Sequence, residues 1–238
     1  MRFLSGGDRA LVVEFGDRVD RGLSKRVLRL DAIIHADPPA GIVETVPTFR
    51  SLTVYYDPLL TSRAELQRSI GALLEVAETR RSGARLWQVP VCYEGEFAPD
   101  LADVARLTGL TPGEVVTLHS GTQFHVYMLG FLPGFPYMGD LPAQLELPRR
   151  ADPRLRVPAG SISIATSLTS IYPYESPGGW HLIGATPIRM FDPERPEPAL
   201  FAAGDAVRFQ PIDAAAFASI RQTVDDGGYL VESALVKR

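Results

Sequence analysis

The segment LGFLPGFPYMGDLP, residues 129–142, limits what this chain can fold into. Gly130, Gly134 and Gly139 alternate there with Pro133, Pro136 and Pro142, so no ordinary helix can run through it. Phe131, Phe135 and Tyr137 stand among them, and large aromatic side chains call for burial or contact. An ordered apolar loop is expected, either turning the corner of a β-barrel or lining a cleft. The same grain continues downstream. Segments 124–129, 161–165, 180–183, 188–191 and 206–210 read as short strands between glycines and prolines, which predicts a small closed β structure with long loops.

The first third is patterned differently. Residues 1–4 and 10–15 read as strands around Gly6-Gly7-Asp8. Leu23, Val27, Leu30 and Ile34 share one helix face, closed by Pro38-Pro39. Strands follow over 42–46 and 51–56. Ser62 and Glu65 have capping-box spacing and open a helix with Leu66, Ile70, Leu73 and Ala77 on one face. The order ββαββα predicts a split βαβ arrangement. Arg80-Arg81-Ser82-Gly83 breaks the pattern, so a small α/β unit is expected over 1–84 and a β-barrel unit over 85–238, an α+β chain overall. The second unit opens with a strand over 86–93 and two short helices over 100–107 and 112–119. Thr111 and Glu114 form another capping box there, with Pro112 at the first helical position.

Composition removes whole classes of function. With 45% hydrophobic and 22% charged residues and a net charge of -4, the chain is an ordinary globular protein with no general attraction to nucleic acid or anionic membrane. The single cysteine, Cys92, permits no intrachain disulfide. With neither a signal-type leader nor a spanning apolar run, a cytoplasmic location is expected. No HExxH, CxxC, GxxxxGK[ST] or GxGxxG occurs, so no metal or phosphate-cradling loop is announced. The helix pair at 102–119 has no Lys or Arg on its second helix, which argues for packing rather than DNA reading.

Three segments carry the candidate chemistry. Besides 129–142, the stretch 147–161 packs Arg149, Arg150, Arg154 and Arg156 into a proline-punctuated loop before Gly160 and Ser161. Arg149 and Arg150 read as solvated. Arg156, against Val157-Pro158, is expected either to pair with an internal carboxylate or to face a bound anion. The stretch 171–187 repeats the first pattern with Tyr172, Tyr174 and Trp180 around Pro177-Gly178-Gly179. A shared, partly apolar cleft is inferred. His125 and His181 lie in strand-like segments beside these loops and, with Arg156, are the candidate catalytic residues. His119, near a helix C-terminus, reads as a partly charged cap.

At VYMLGFLPGFPYMGDL, PRLRVPAGS and IYPYESPGGWHLIGATP the sequence resembles the family of 5-oxoprolinase B subunits, also called allophanate hydrolase subunit 1 or the KipI type. The likeness extends to LSGGDRALVVEFGD and PTFRSLTVYYDP near the N-terminus. It departs at Thr166-Ser167-Leu168-Thr169-Ser170, where the family commonly reads Gly-x-Gln-Thr-Gly, and at Ala185, where it often has arginine. The resemblance implies a cyclophilin-like barrel as the second unit. It implies binding residues at Phe131, Pro133, Gly134, Phe135, Tyr137, Arg156, Gly160, Ser161, Tyr172, Gly178, Gly179 and Trp180. It also implies ATP-dependent cleavage of 5-oxoproline (pyroglutamate) to glutamate in a heteromeric complex. The partners it implies are the 5-oxoprolinase C subunit, of the allophanate hydrolase subunit 2 family, together with the A subunit. ATP and Mg would act in the assembled complex, with no tightly bound cofactor and no metal site on this chain. Two other roles occur in the family: inhibition of a sensor histidine kinase, and a part in urea carboxylase or allophanate hydrolase systems.

Overall fold

The computed structural model describes residues 1–75 and 83–235. The chain divides into two compact units, Met1–Gly83 and Ala84–Arg238. Residues 80–82, where a boundary is expected, and Ala77 of the second apolar face lie outside the described residues.

The first unit runs β1 (Arg2–Ser5), β2 (Ala10–Glu14), α1 (Arg21–Ala36), β3 (Ile42–Pro47), β4 (Ser51–Tyr56) and α2 (Arg63–Glu75). Its sheet has the order β1-β2-β4-β3, and every neighbouring pair is antiparallel. β4 therefore lies between β2 and β3, which run parallel and are joined through α1, as the split βαβ reading requires. Asp20 starts α1 by accepting from the Leu23 amide at 3.0 Å. Val27, Leu30 and Ile34 are buried against Leu11, Val13, Leu52 and Val54 of the sheet. At α2 the Ser62–Glu65 capping box is formed: the Ser62 amide donates to Glu65 at 2.8 Å and the Glu65 amide to Ser62 Oγ at 3.3 Å.

The second unit comprises β5 (Arg85–Cys92), α3 (Leu101–Thr108), α4 (Pro112–Gly121), β6 (Phe124–Leu129), β7 (Pro136–Gly139), β8 (Arg154–Val157), β9 (Ser161–Ala165), β10 (Leu168–Ile171), β11 (Ser176–Gly178), β12 (His181–Ala185), β13 (Ala206–Ile212), α5 (Ala214–Asp225) and β14 (Ser233–Leu235). Seven strands pair in the ring β12-β9-β10-β7-β6-β13-β5, which closes where Cys92 of β5 meets Ala185 of β12. This is a cyclophilin-like barrel. β5 and β13 are its parallel pair, in register from Leu86↔Ala206 to Cys92↔Ile212. Alternation along the strands fills the barrel: Val89 and Val91, Phe124 and Val126, Ile162 and Ile164, Val207 and Phe209 are all buried in one cluster. β8 and β11 form a separate two-stranded ribbon.

The 129–142 segment proves to be a hairpin of the barrel. Leu129 of β6 pairs with Pro136 of β7, and the loop between them is pinned by the Gly130 amide on Phe135 O at 3.1 Å. The proline opens the strand, a position at which its missing N–H is tolerated. Residues 188–191, expected as a strand, are not one. Ile188 and Met190 are buried, but only Phe191 makes an isolated bridge, to Ala199. Apolar composition there reports burial without a ladder. The helix α5 lies outside the sequence expectation, although Asp213 caps it by accepting from the Ala216 amide at 2.7 Å.

His119 corrects the capping reading. It is fully buried, stacked on Phe209 at 4.7 Å between centroids. Thr169 donates its hydroxyl proton to Ser163 O at 3.0 Å, so it accepts from His119 Nε2 at 3.0 Å. Nδ1 then accepts from the Tyr93 hydroxyl at 2.8 Å. The imidazole is the neutral Nε2–H tautomer, and burial pushes its pKa down to about 3. Because the folded value lies below the unfolded one near 6.5, the unfolded chain takes up a proton first as pH falls. Stability present above pH 6.5 is therefore lost between about pH 6.5 and 3, at up to about 1.4 kcal/mol per pH unit. Denaturant unfolding across this window should show a flatter pH dependence in His119→Gln than in the parent.

Candidate functional site

The three motif-bearing segments meet on the second unit. The β6–β7 hairpin delivers Phe135, which is buried with Val157, Tyr172 and Leu182. Its ring touches Tyr137 at 5.1 Å, Tyr172 at 5.1 Å edge-on and Trp180 at 6.4 Å edge-on, and Phe131 packs edge-on against it from outside at 5.3 Å. Tyr137 and Trp180 close the group at 6.2 Å. Geometry of this kind contributes beyond simple area burial.

Backbone detail explains the glycines. Gly134 has φ 76, and a Cβ there would stand 2.8 Å from Phe191 Cβ and 3.0 Å from Met190 O. Gly160 has φ 84, and a side chain would overlap Thr186 O. At Gly178 a Cβ would collide with the Tyr172 hydroxyl, so only glycine lets that ring lie where it does. Phe131 adopts φ 69 without being glycine, and it is 62% exposed.

The arginine loop is arranged differently from expectation. Asp100, just before α3 and only 2% exposed, receives Arg150 Nη1 at 3.0 Å, Arg154 Nη1 at 2.9 Å and Arg154 Nη2 at 2.6 Å. The Leu182 amide adds a fourth donor at 2.7 Å. Arg150 is thus a structural ligand of a buried carboxylate, not a solvated residue. Arg156 pairs two-pronged with Glu175 at 2.8 and 3.0 Å, but on the surface, its side chain 78% exposed. It neither reaches an internal carboxylate nor faces inward. Arg149 is exposed and lies over Trp180, 5.9 Å from the ring centroid. Its charge favours the ionised forms of Tyr137 and Tyr172, against the burial that raises both of their pKa values.

Of the histidines, His181 is buried with Nε2 3.0 Å from Pro148 O, which makes that nitrogen the donor. Its Nδ1 is buried without a partner among the described residues. His125 on β6 packs edge-on against Tyr127, 4.6 Å between centroids, and Tyr127 in turn donates to Asp140 at 3.3 Å. Pro133 is exposed at the hairpin tip, while Ser161 is buried at the start of β9 and Gly179 O accepts from the Arg150 amide at 2.8 Å. Asp100 escapes sequence reading; its only signal is a lone acid ahead of a helix. Two concavities, of about 170 and 330 Å³, lie in the first unit, lined by Phe15, Arg26 and Arg29 and by Leu60, Glu65 and Arg68 respectively. Neither includes a residue of the three motifs.

Fold and site together define a two-unit α+β protein whose cyclophilin-like barrel carries an aromatic corner rimmed by arginines. The carboxyltransferase domain family, subdomains C and D, matches residues 1–201, and the chain belongs to it. The 5-oxoprolinase B subunit of Bacillus subtilis (strain 168) is 39% identical over 217 residues, 85% of this chain and 89% of that protein. The protein of the same name from Escherichia coli O157:H7 is 42% identical over 205 residues, 86% and 93% of the two. The urea amidolyase of Saccharomyces cerevisiae is 25% identical over 96% of this chain but only 14% of its own length. Among solved structures, TTHA0988 superposes with a TM-score of 0.78 at 37% identity; it covers 87% of this chain, which spans 40% of TTHA0988's length.

The two ion-pair settings predict opposite consequences. Asp100→Ala leaves two partly buried guanidinium groups uncompensated and should cost about 3–5 kcal/mol. Arg156→Ala breaks an exposed pair and should scarcely move Tm. Thermal melts of the two variants beside the parent check both statements.

Proposed function

We propose that this chain is the B subunit of an ATP-dependent 5-oxoprolinase, acting with the C and A subunits to open 5-oxoproline to glutamate. The observation that carries the reading is identity of 39–42% to two proteins of that name, along 89–93% of their lengths. The embedding of a similar unit in longer chains, as 40% of TTHA0988, supports work beside other domains.

The chemistry fits such division of labour. A lactam carbonyl is a poor electrophile, and phosphorylating its oxygen supplies a leaving group. That step needs cations or oriented donors around developing phosphate charge. We assign ATP and its Mg to the assembled complex, because this sequence has no recognisable phosphate-cradling loop. Residues of the aromatic corner and its arginine rim are the candidates for holding substrate, with His181 and its unpartnered Nδ1 the better placed of the two histidines. No helix among the described residues is long and apolar enough to cross a membrane.

A second reading, a part of a urea-carboxylating system, draws on the carboxyltransferase family match and on the similarity to urea amidolyase. Turnover assays separate the two. The purified chain alone should show negligible 5-oxoproline-dependent ATP hydrolysis. The chain with its C and A partner subunits should release glutamate and phosphate in step. Robust turnover by the chain alone would overturn the partner requirement. Urea-dependent ATP consumption with a biotin carboxylase partner, and none with 5-oxoproline, would favour the second reading.

A further inference from the structure

The four arginines of the 147–161 loop meet two carboxylates. Arg150 and Arg154 share Asp100, and Arg156 takes Glu175. Arg149 has no carboxylate partner among the described residues; its contact is the face of Trp180. The loop's own Asp152 is exposed and pairs with none of them. An indole face attracts the charge of a guanidinium but offers its five N–H donors no conventional acceptor. Arg149 therefore spends none of its hydrogen-bonding capacity on an acid among the described residues.

The groups beneath it are donors too. Trp180 is 6% exposed and Tyr172 2% exposed, and among the described residues neither the indole N–H nor the Tyr172 hydroxyl has a hydrogen-bond partner; neither belongs to the fully buried unpartnered atoms, so both reach the surface at the edge of buried rings. The Tyr172 hydroxyl lies over Gly178, two residues from Trp180, in a space that a Cβ would fill. Both rings are joined through Phe135. A cation and two unpartnered donors thus gather at one aromatic corner, and Asp100, the acid to which the same loop is anchored, is already engaged by four donors.

We propose that Arg149, with the Trp180 indole N–H and the Tyr172 hydroxyl, forms a binding site for the carboxylate of a small ring-bearing acid. The planar fork of one unpaired guanidinium matches a carboxylate in two-point geometry, and the surrounding rings suit a flat, mostly apolar body. The site deepens the 5-oxoprolinase reading and rests on it for the choice of 5-oxoproline as the natural acid; the carboxylate assignment stands on the donors alone.

The test follows the two indole ¹H–¹⁵N signals of the labelled chain, and KM in the assembled complex. Trp87 is the internal reference, because its Nε1 is committed to Asp205 at 2.8 Å. 5-Oxoproline should shift the Trp180 signal and leave Trp87 unmoved. Acetate should shift it at higher concentration. 2-Pyrrolidinone, the same lactam without the carboxylate, should not. Arg149→Lys keeps the charge but loses the fork, and should weaken 5-oxoproline binding by about tenfold or more and raise KM in the complex. Arg106→Ala, at an exposed arginine of α3 outside the three motifs, should bind like the parent. A Trp180 shift with 2-pyrrolidinone equal to that with 5-oxoproline would overturn the site, as would unchanged binding and KM in Arg149→Lys, or inorganic phosphate displacing acetate. Acetate bound through Arg149 with 5-oxoproline ignored would keep the carboxylate site and remove the 5-oxoprolinase reading. Turnover with an unaltered KM in Arg149→Lys would do the reverse.

Discussion

A carboxylate buried with two guanidinium groups organises the functional face of this protein. Asp100 accepts from Arg150, Arg154 and the Leu182 amide, while its own amide donates to Leu182 O at 2.9 Å. Three separate stretches of chain converge on it: the approach to α3, the arginine loop and β12. A carboxylate in such a place is tolerable only when several strong donors surround it. Its side chain is drawn away from the capping role its position suggests, and it makes no cap bond to α3. The cost to the helix end is offset by fixing the loop that carries Arg149 on one side and Arg156 on the other.

Space for the aromatic corner comes from glycines that have no substitute. Gly178 makes room for the Tyr172 hydroxyl, Gly134 lets the hairpin close over Met190 and Phe191, and Gly160 admits the Thr186 carbonyl. Each sits where two backbones or a backbone and a ring approach too closely for a Cβ. The corner is therefore built from the barrel's own connections. The loops that close β6 to β7 and lead into β9 and β12 also set the rings. For residues 129–142, turning the barrel corner and lining the candidate site are one task.

Sequence reading reaches the elements whose signal is periodic or local. α1, both capping boxes and the strands at 124–129 and 161–165 follow from apolar spacing and side-chain chemistry within a few residues. Apart from the twelve-residue helix α5, the elements it misses are short. β7, β8, β10 and β11 have three or four residues each, too few for alternation to register. Residues 188–191 mislead because burial and strand pairing leave the same apolar composition. His119 misleads for a longer-range reason. Its proximity to a helix end is visible, whereas Tyr93 and Thr169, which fix it neutral in the core, come from 26 and 50 residues away.

The arginines show where sequence reading stops. Arg149, Arg150, Arg154 and Arg156 are chemically identical and lie within eight residues, so nothing local separates them. Their roles depend on acids brought in from elsewhere: Asp100, 50 and 54 positions from its two partners, and Glu175, 19 from its own. Prolines restrain the backbone at Arg156, yet a restrained backbone directs a side chain outward as readily as inward. Once the acids are placed, the charges sort themselves. Two guanidinium groups outnumber the one buried carboxylate they share, a third is neutralised at the surface, and Arg149 is left without an acid among the described residues. The loop therefore keeps a positive excess beside the indole N–H of Trp180 and the hydroxyl of Tyr172. That excess arises from the mismatch between four cations and three anions, Asp100, Glu175 and the loop's own Asp152, and it is held in place because the same loop is anchored through Asp100.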